Sequence, residues 1–218
     1  MISYPERNYV KKFTREALEK TAGLKLYDGG PGVDYRGAPH SFALSATLLY
    51  DPERPPEDIV RHGPSGAAEI LLVERASGDG VIGSFSGVTG YIDVLKDPDE
   101  NARGQFDPIE HTLWKEFSVE CSMGRKAFEL IKFYAGPPTV EPRSANPNHR
   151  ITVVPLLGLN AERPKIVVDR KELASYKWVG LKAIKHTERL ARGYKDLTLP
   201  STLGAIGLKG AALRSVLG

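Results

Sequence analysis

The chain of 218 residues is 41% hydrophobic and 26% charged, a balance that builds a sizeable core and excludes general disorder. Lys and Arg number 30 against 27 Asp and Glu, a formal net charge of +3, which is too small to imply nucleic-acid binding without a concentrated basic patch. The single cysteine, Cys121, excludes an internal disulfide and a multi-cysteine zinc cluster, and with no signal-peptide core in MISYPERNYVKKF and no long apolar run the expectation is a cytoplasmic protein that does not cross a membrane.

In chain order, Thr14 stands as an N-cap before REALEKTAG and Gly23 as its stop, predicting a short helix in an N-terminal extension over residues 1–40. Tyr27 to Pro39 reads as loop, and SFALSATLLY as the first core strand of a domain spanning 41–195. Asp51 to Gly66, with its prolines and charges, is predicted to be a long connection to ILLVERA, a short apolar run suited to a buried strand that could pair with the first as a loose hairpin. The glycine-rich stretch GDGVIGSFSGVTGYID then leads into VLKDPDENARGQF, a polar surface insertion.

A helix is strongly signalled next. Asp107 offers an N-cap acceptor, Pro108 suits the first helical position and Glu110 completes a capping-box spacing. Ile109, Leu113, Phe117 and Cys121 recur every fourth residue as an apolar stripe, while Glu116 and Glu120 project together from a neighbouring one. Beyond it, FELIKFYAG and ITVVPLLGL read as strands separated by the loop PPTVEPRSANPNHR, and KIVVD and YKWVGL as two more. Thr187 to Tyr194 reads as a second amphipathic helix, and 196–218 as a tail.

The order of strand, glycine-rich turn, carboxylate-bearing helix, further strands and final helix resembles the Nudix hydrolase family, whose box is G-x5-E-x7-R-E-U-x-E-E-x-G-U with U a bulky apolar residue. The C-terminal half of the box falls on Lys115-Glu116-Phe117-Ser118-Val119-Glu120-Cys121-Ser122-Met123, and its isolated carboxylate on Asp107. The box glycine corresponds to Gly90, with an insertion of about ten residues between it and Asp107. Three positions depart from the box: Lys115 stands for the arginine, Val119 for the first glutamate of the pair, and Ser122 for the second glycine.

The resemblance implies an α/β fold, an α/β/α sandwich with a mixed central sheet, and Mg²⁺-dependent cleavage of the pyrophosphate bond in a nucleoside diphosphate linked to another moiety, with Mn²⁺ able to stand in for Mg²⁺. It implies that Glu116 and Glu120 hold the metal, that Lys115 orients the carboxylates, and that Glu172, ahead of the strand YKWVGL, adds a ligand or base. The chemistry has its own logic, because hydrolysing a pyrophosphate requires neutralising phosphate charge and orienting a water. Glutamates four residues apart stand one helical turn above one another, where they can share a hard cation, although solvated glutamates at this spacing are common. Arg75, Tyr91 and Arg150 are the candidate substrate contacts, Arg75 reading equally well as a strand-end surface residue. Phe85, Tyr91 and Trp114 could stack on a base or pack in the core, with packing preferred for Trp114. Cys121 continues the apolar stripe and reads as a core thiol.

The partner expected is a small phosphate-containing molecule, not nucleic acid or membrane; a homodimer is compatible with the sequence. No G-x-x-x-x-G-K-[ST] and no H-E-x-x-H occurs, which excludes a P-loop and a zincin. The rival readings are a catalytically impaired domain that binds a nucleotide or a protein, motivated by Val119, and an isomerase, lyase or cyclase using the same fold on a non-nucleotide substrate.

Overall fold

The structure is a computed structural model that describes residues 32–33, 39–77, 81–92, 108–143 and 146–217. The helix predicted after Thr14 and the N-cap residue Asp107 lie outside the described residues. The described strands are β1 (Gly32–Val33), β2 (Pro39–Tyr50), β3 (Glu69–Arg75), β4 (Phe85–Ser86), β5 (Val88–Tyr91), β6 (Lys132–Ala135), β7 (Thr139–Arg143), β8 (Asn146–Asn160) and β9 (Leu173–Gly180). The helices are α1 (Pro56–His62), α2 (Pro108–Val119), α3 (Arg125–Glu129), α4 (Leu199–Gly204) and α5 (Gly210–Leu217), with a 3₁₀ segment at Leu181–His186 and a π turn at Tyr194–Thr198.

One mixed sheet runs β4-β3-β2-β8-β6, with β1 and β5 on β2, β7 on β8 and β9 on β3. Its centre is the long parallel pairing of β2 with β8, from His40↔Arg150 to Tyr50↔Asn160, and every other strand pairing is antiparallel. Alternation along the strands sends side chains to two cores. Phe42, Leu44, Ala46 and Leu48 of β2, with Val154 and Leu156 of β8, pack against Ile109, Leu113 and Phe117 of α2 and Phe128 of α3. Leu49, Leu157 and Leu159, facing the other way, meet Ile59 of α1, Tyr194 and Leu199 and Leu203 of α4. Helices thus cover both faces, and the mixed sheet between helices that the resemblance implies is the observed architecture. No helix among the described residues is long and apolar enough to cross a membrane.

Several local expectations are corrected. The connection from Asp51 to Gly66 contains α1, which starts on Pro56, carries Glu57 and Asp58 in its first turn and Arg61 and His62 in its last, and stops at Gly63 with φ of 76°. The first two residues of FELIKFYAG, Phe128 and Glu129, belong to α3, where Phe128 is buried and Arg125 pairs with Glu129 at 2.9 Å. The proline-rich stretch after β6 holds β7 and the start of β8, hydrogen-bonded to each other. KIVVD is not a strand, because the end of α2 recruits its donors: Val167 N–H donates to the Cys121 carbonyl at 3.1 Å and Asp169 N–H to the Glu120 carbonyl at 2.8 Å. Of Thr187 to Tyr194 only the last residues, from Arg192, are helical; Thr187 to Ala191 is not. Arg189 has φ of 57°, and the chain instead bridges to the sheet edge, Phe85 N–H donating to the Arg189 carbonyl and Ala191 N–H to the Phe85 carbonyl. The two strands expected as a hairpin do pair, but only at Leu49↔Ile70 and Tyr50↔Glu69.

Candidate functional site

Helix α2 places the two glutamates. Its apolar stripe is buried through Ile109, Leu113, Phe117 and Cys121, which fixes the rotation of the helix on the sheet. That rotation carries Glu116 and Glu120 inward as well, and both are buried. The last turn stays closed, Glu120 N–H donating to the Glu116 carbonyl at 2.8 Å. Ser122, at the box-glycine position, then adopts φ of 46°, a left-handed conformation that costs a non-glycine residue about 1 kcal/mol.

Gly90 does not lie in a loop preceding the helix; it is the third residue of β5, opposite Leu44 of β2. Its missing side chain is what Glu116 occupies: a Cβ at Gly90 would stand 2.6 Å from Glu116 Cγ and collide with the carboxylate itself. The glycine and the glutamate meet although the box is interrupted by an insertion. On the other side, Arg75 at the end of β3 reaches across. Its Nη2 donates to the Thr89 carbonyl at 3.0 Å and also to Thr89 Oγ1, and its Nη1 stands 3.7 Å from Glu120 Oε1. Arg75 is therefore tied to the carboxylate helix and is not a strand-end surface residue. Glu172 arrives on the turn before β9, held there by Ala76 N–H donating to its carbonyl at 2.9 Å. Glu172 is exposed, yet its charge raises Glu116 and a side-chain hydrogen bond from it raises Glu120.

Two carboxylates buried together with one nearby guanidinium are electrostatically unsatisfied. Burial pushes the Glu120 carboxyl up to about 8; Arg75 pulls it down, and Glu116 and Glu172 raise it further. Burial also raises Glu116, against the opposing pull of Glu120 and Lys115. Glu120 Oε2 is buried with no hydrogen-bond partner, a buried acceptor that no donor of the chain satisfies. Among the described residues no three Asp, Glu, His or Cys side chains converge as a ligand set. An octahedral hard cation does not need three: Mg²⁺ is commonly held by one or two carboxylates, keeping waters and taking substrate phosphate oxygens for the rest. The pair, with its orphaned oxygen, fits such an ion.

The remaining candidates separate. Lys115 is 58% exposed at its side chain and approaches Glu116 Oε1 at 3.8 Å. Tyr91 follows Gly90 on β5 and is exposed, its side chain by strand alternation directed to the opposite sheet face. Arg150 pairs with His40 at the far end of the β2–β8 ladder, while Gly90 is level with Leu44, an offset of about 13 Å along the strand. Phe85 and Trp114 pack in the cores, Trp114 against Phe128 at 5.3 Å. Cys121 is buried, and burial pushes its thiol up to about 12, which makes it inert. Val119, where the box has a glutamate, is 52% exposed. What sequence reasoning missed is Thr89, which no local signal marks and only the Arg75 contact reveals.

No family model and no curated protein matches the sequence. Among solved structures, the chain is similar to the Nudix domain of NrtR from Shewanella oneidensis complexed with ADP ribose, at 14% identity over 85% of this chain and 96% of that one, with a TM-score of 0.49. It is similar to a MutT Nudix hydrolase from Burkholderia pseudomallei at 13% identity, covering 74% of this chain and 97% of that one, with a TM-score of 0.48. For RenU, a Nudix hydrolase from M. smegmatis, the values are 17% identity, 77% and 88% coverage, and a TM-score of 0.47.

Proposed function

We propose that this chain, a Nudix-type α/β/α sandwich, is a divalent-metal-dependent hydrolase that cleaves the pyrophosphate bond of a nucleoside diphosphate linked to another moiety. The observation that carries this reading is the buried Glu116–Glu120 pair, seated on Gly90 and flanked by Arg75, with Glu120 Oε2 unpartnered. Glu116 and Glu120 would hold Mg²⁺, or Mn²⁺ in its place. When bound, such an ion supplies charge neutralisation for the phosphates and acidifies a water for attack on phosphorus.

The chain's own residues do the rest. Burial raises the carboxyls of both Glu116 and Glu120, so cation binding there would be coupled to release of protons. Arg75 stands 3.7 Å from one oxygen of Glu120, while the other oxygen is buried without a hydrogen-bond partner. Glu172, exposed beside the pair, is suited to accept the proton of the attacking water or to add a ligand. In the overall reaction, the water oxygen bonds to one phosphorus, the bond from that same phosphorus to the bridging oxygen breaks, and the bridging oxygen leaves with the second phosphate. Both products are phosphate monoesters. Lys115 stands close enough to Glu116 to offset its charge, and Arg150, farther along the same sheet, is a candidate for the distal part of a substrate, whereas Tyr91 on the opposite face is not.

A second reading has its own observation. Val119 is exposed where the family carries a carboxylate, and the described residues hold no third ligand, which favours a domain that binds a phosphate-containing ligand without turning it over. The test incubates the protein with ADP-ribose, NADH and a nucleoside diphosphate panel across a Mg²⁺ titration and measures monophosphate release. Activity that rises with Mg²⁺ and vanishes with EDTA is expected. Saturable ligand binding without turnover supports the second reading, and turnover that ignores EDTA contradicts the metal mechanism.

A further inference from the structure

We propose that Arg75 is the positioning residue of the carboxylate pair and has taken over the orienting function vacated at Lys115; this deepens the hydrolase reading and rests on it. An ammonium is a point charge on a flexible stem, and Lys115 holds its own mostly in solvent, within ion-pair distance of Glu116 and not of Glu120. A planar guanidinium can instead fix two neighbours at once. Arg75 does so with a side chain only 17% exposed: one nitrogen is bonded to the Thr89 carbonyl and hydroxyl, the other faces Glu120 Oε1.

Its backbone is held as firmly. Arg75 N–H donates to the Ser84 carbonyl at 3.0 Å, and Gly83 N–H donates to the Arg75 carbonyl at 2.8 Å. The next residue, Ala76, binds the backbone of Glu172. The strand that Arg75 grips is the one whose Gly90, next to Thr89, cradles Glu116. One arginine thus ties β3, β5 and the end of α2 together around the two carboxylates. Its Nη1 lies 3.7 Å from Oε1 of Glu120, and Oε2, the atom without a partner, is the oxygen offered to a cation. Its Nη2 is committed to Thr89, which anchors the guanidinium beside Glu120.

The test measures Mn²⁺ binding in the absence of substrate for the parent, Arg75→Gln, Arg75→Lys, Lys115→Arg and the pair Arg75→Gln with Lys115→Arg. Removing a positive charge beside the site would by itself strengthen cation binding. Loss of orientation weakens it, by about 10- to 100-fold for outer-shell partners of metal ligands. Weaker binding in Arg75→Gln and in the charge-conserving Arg75→Lys is expected, with little change in Lys115→Arg alone and partial recovery in the pair. Tighter binding in Arg75→Gln would make Arg75 a competing counter-ion. Unchanged Mn²⁺ affinity with a raised KM would make it a substrate contact. Either result overturns the proposal. A metal-free readout separates this from the hydrolase reading: denaturation midpoints of Arg75→Gln, Glu120→Gln and their double variant should be non-additive. If the parent binds no Mn²⁺, the hydrolase reading falls and this coupling decides; additive midpoints overturn the positioning claim.

Discussion

Helix α2 buries two stripes of side chains, and burial acts on them in opposite directions. Ile109, Leu113 and Phe117 leave water for a close-packed apolar interior, which stabilises the fold. Glu116 and Glu120 leave water for a site with too little positive charge, which costs free energy and raises both carboxyls above their ordinary range. The apolar stripe sets the rotation of the helix, and that rotation forces the carboxylate stripe inward. The apolar side thus offsets the cost of burying the charged side. The comparison predicts that the two stripes can be broken separately.

The largest effect belongs to the apolar side. Phe117→Ala removes a fully buried ring that packs on Phe128 and Phe133, and is expected to destabilise by about 3 to 5 kcal/mol. Urea denaturation reads this directly, and an unchanged midpoint would place the stripe in water. On the charged side, Glu120→Gln should lower Mg²⁺-dependent turnover by about 100-fold, roughly 2.7 kcal/mol of barrier, while leaving the metal-free fold at least as stable as the parent at pH 8. A variant that loses both turnover and stability would show that the two stripes are not separable.

The pH dependence of the metal-free protein sharpens the same contrast. The Glu120 carboxyl, at about 8 in the fold, is raised above its unfolded value, so the folded state binds more protons than the unfolded one between the two. Its contribution is fully present below about pH 4.5 and is lost as pH rises towards about 8. Thermal midpoints should therefore fall across this window, by about 2 to 4 °C for each kcal/mol. In Glu120→Gln this part of the slope should disappear, whereas Phe117→Ala should keep it; a slope that survives Glu120→Gln in full assigns it elsewhere. The smallest effect is at Val119, exposed on the same helix. Val119→Glu should alter stability by no more than about 0.5 kcal/mol, and a loss of several kcal/mol by chemical denaturation would reveal a packing role.

The legibility of the sequence followed the range of the interactions. The stripe Ile109, Leu113, Phe117 and the pair Glu116, Glu120 depend on a local helical period, and the structure reproduces both. The contact of Gly90 with Glu116 crosses an insertion, so only the family resemblance suggested that the two belong together, and the resemblance gave no reason for it. That reason is steric, and visible only once β5 lies under α2. Arg75 and Glu172 are brought to the site by the β3–β9 pairing, a register set by distant residues that no window of sequence contains. Two local misreadings share a cause: KIVVD has a strand's composition but is claimed by the open carbonyls of α2, and Thr187 to Tyr194 has a helix's pattern but its part up to Ala191 is claimed by the backbone of Phe85. In both, unsatisfied backbone groups elsewhere outweighed local preference.

The proposed cation site at the Glu116–Glu120 pair can be tested in the absence of any substrate. Isothermal titration of Mn²⁺ into the metal-free parent and into Glu120→Gln, in buffers of different ionisation heat so that proton release is counted, tests it most directly. One saturable site in the parent, proton release on binding at pH 7, and loss of that site in Glu120→Gln are the expected results. A parent that shows no saturable binding, or binding that is unchanged in Glu120→Gln, contradicts the claim.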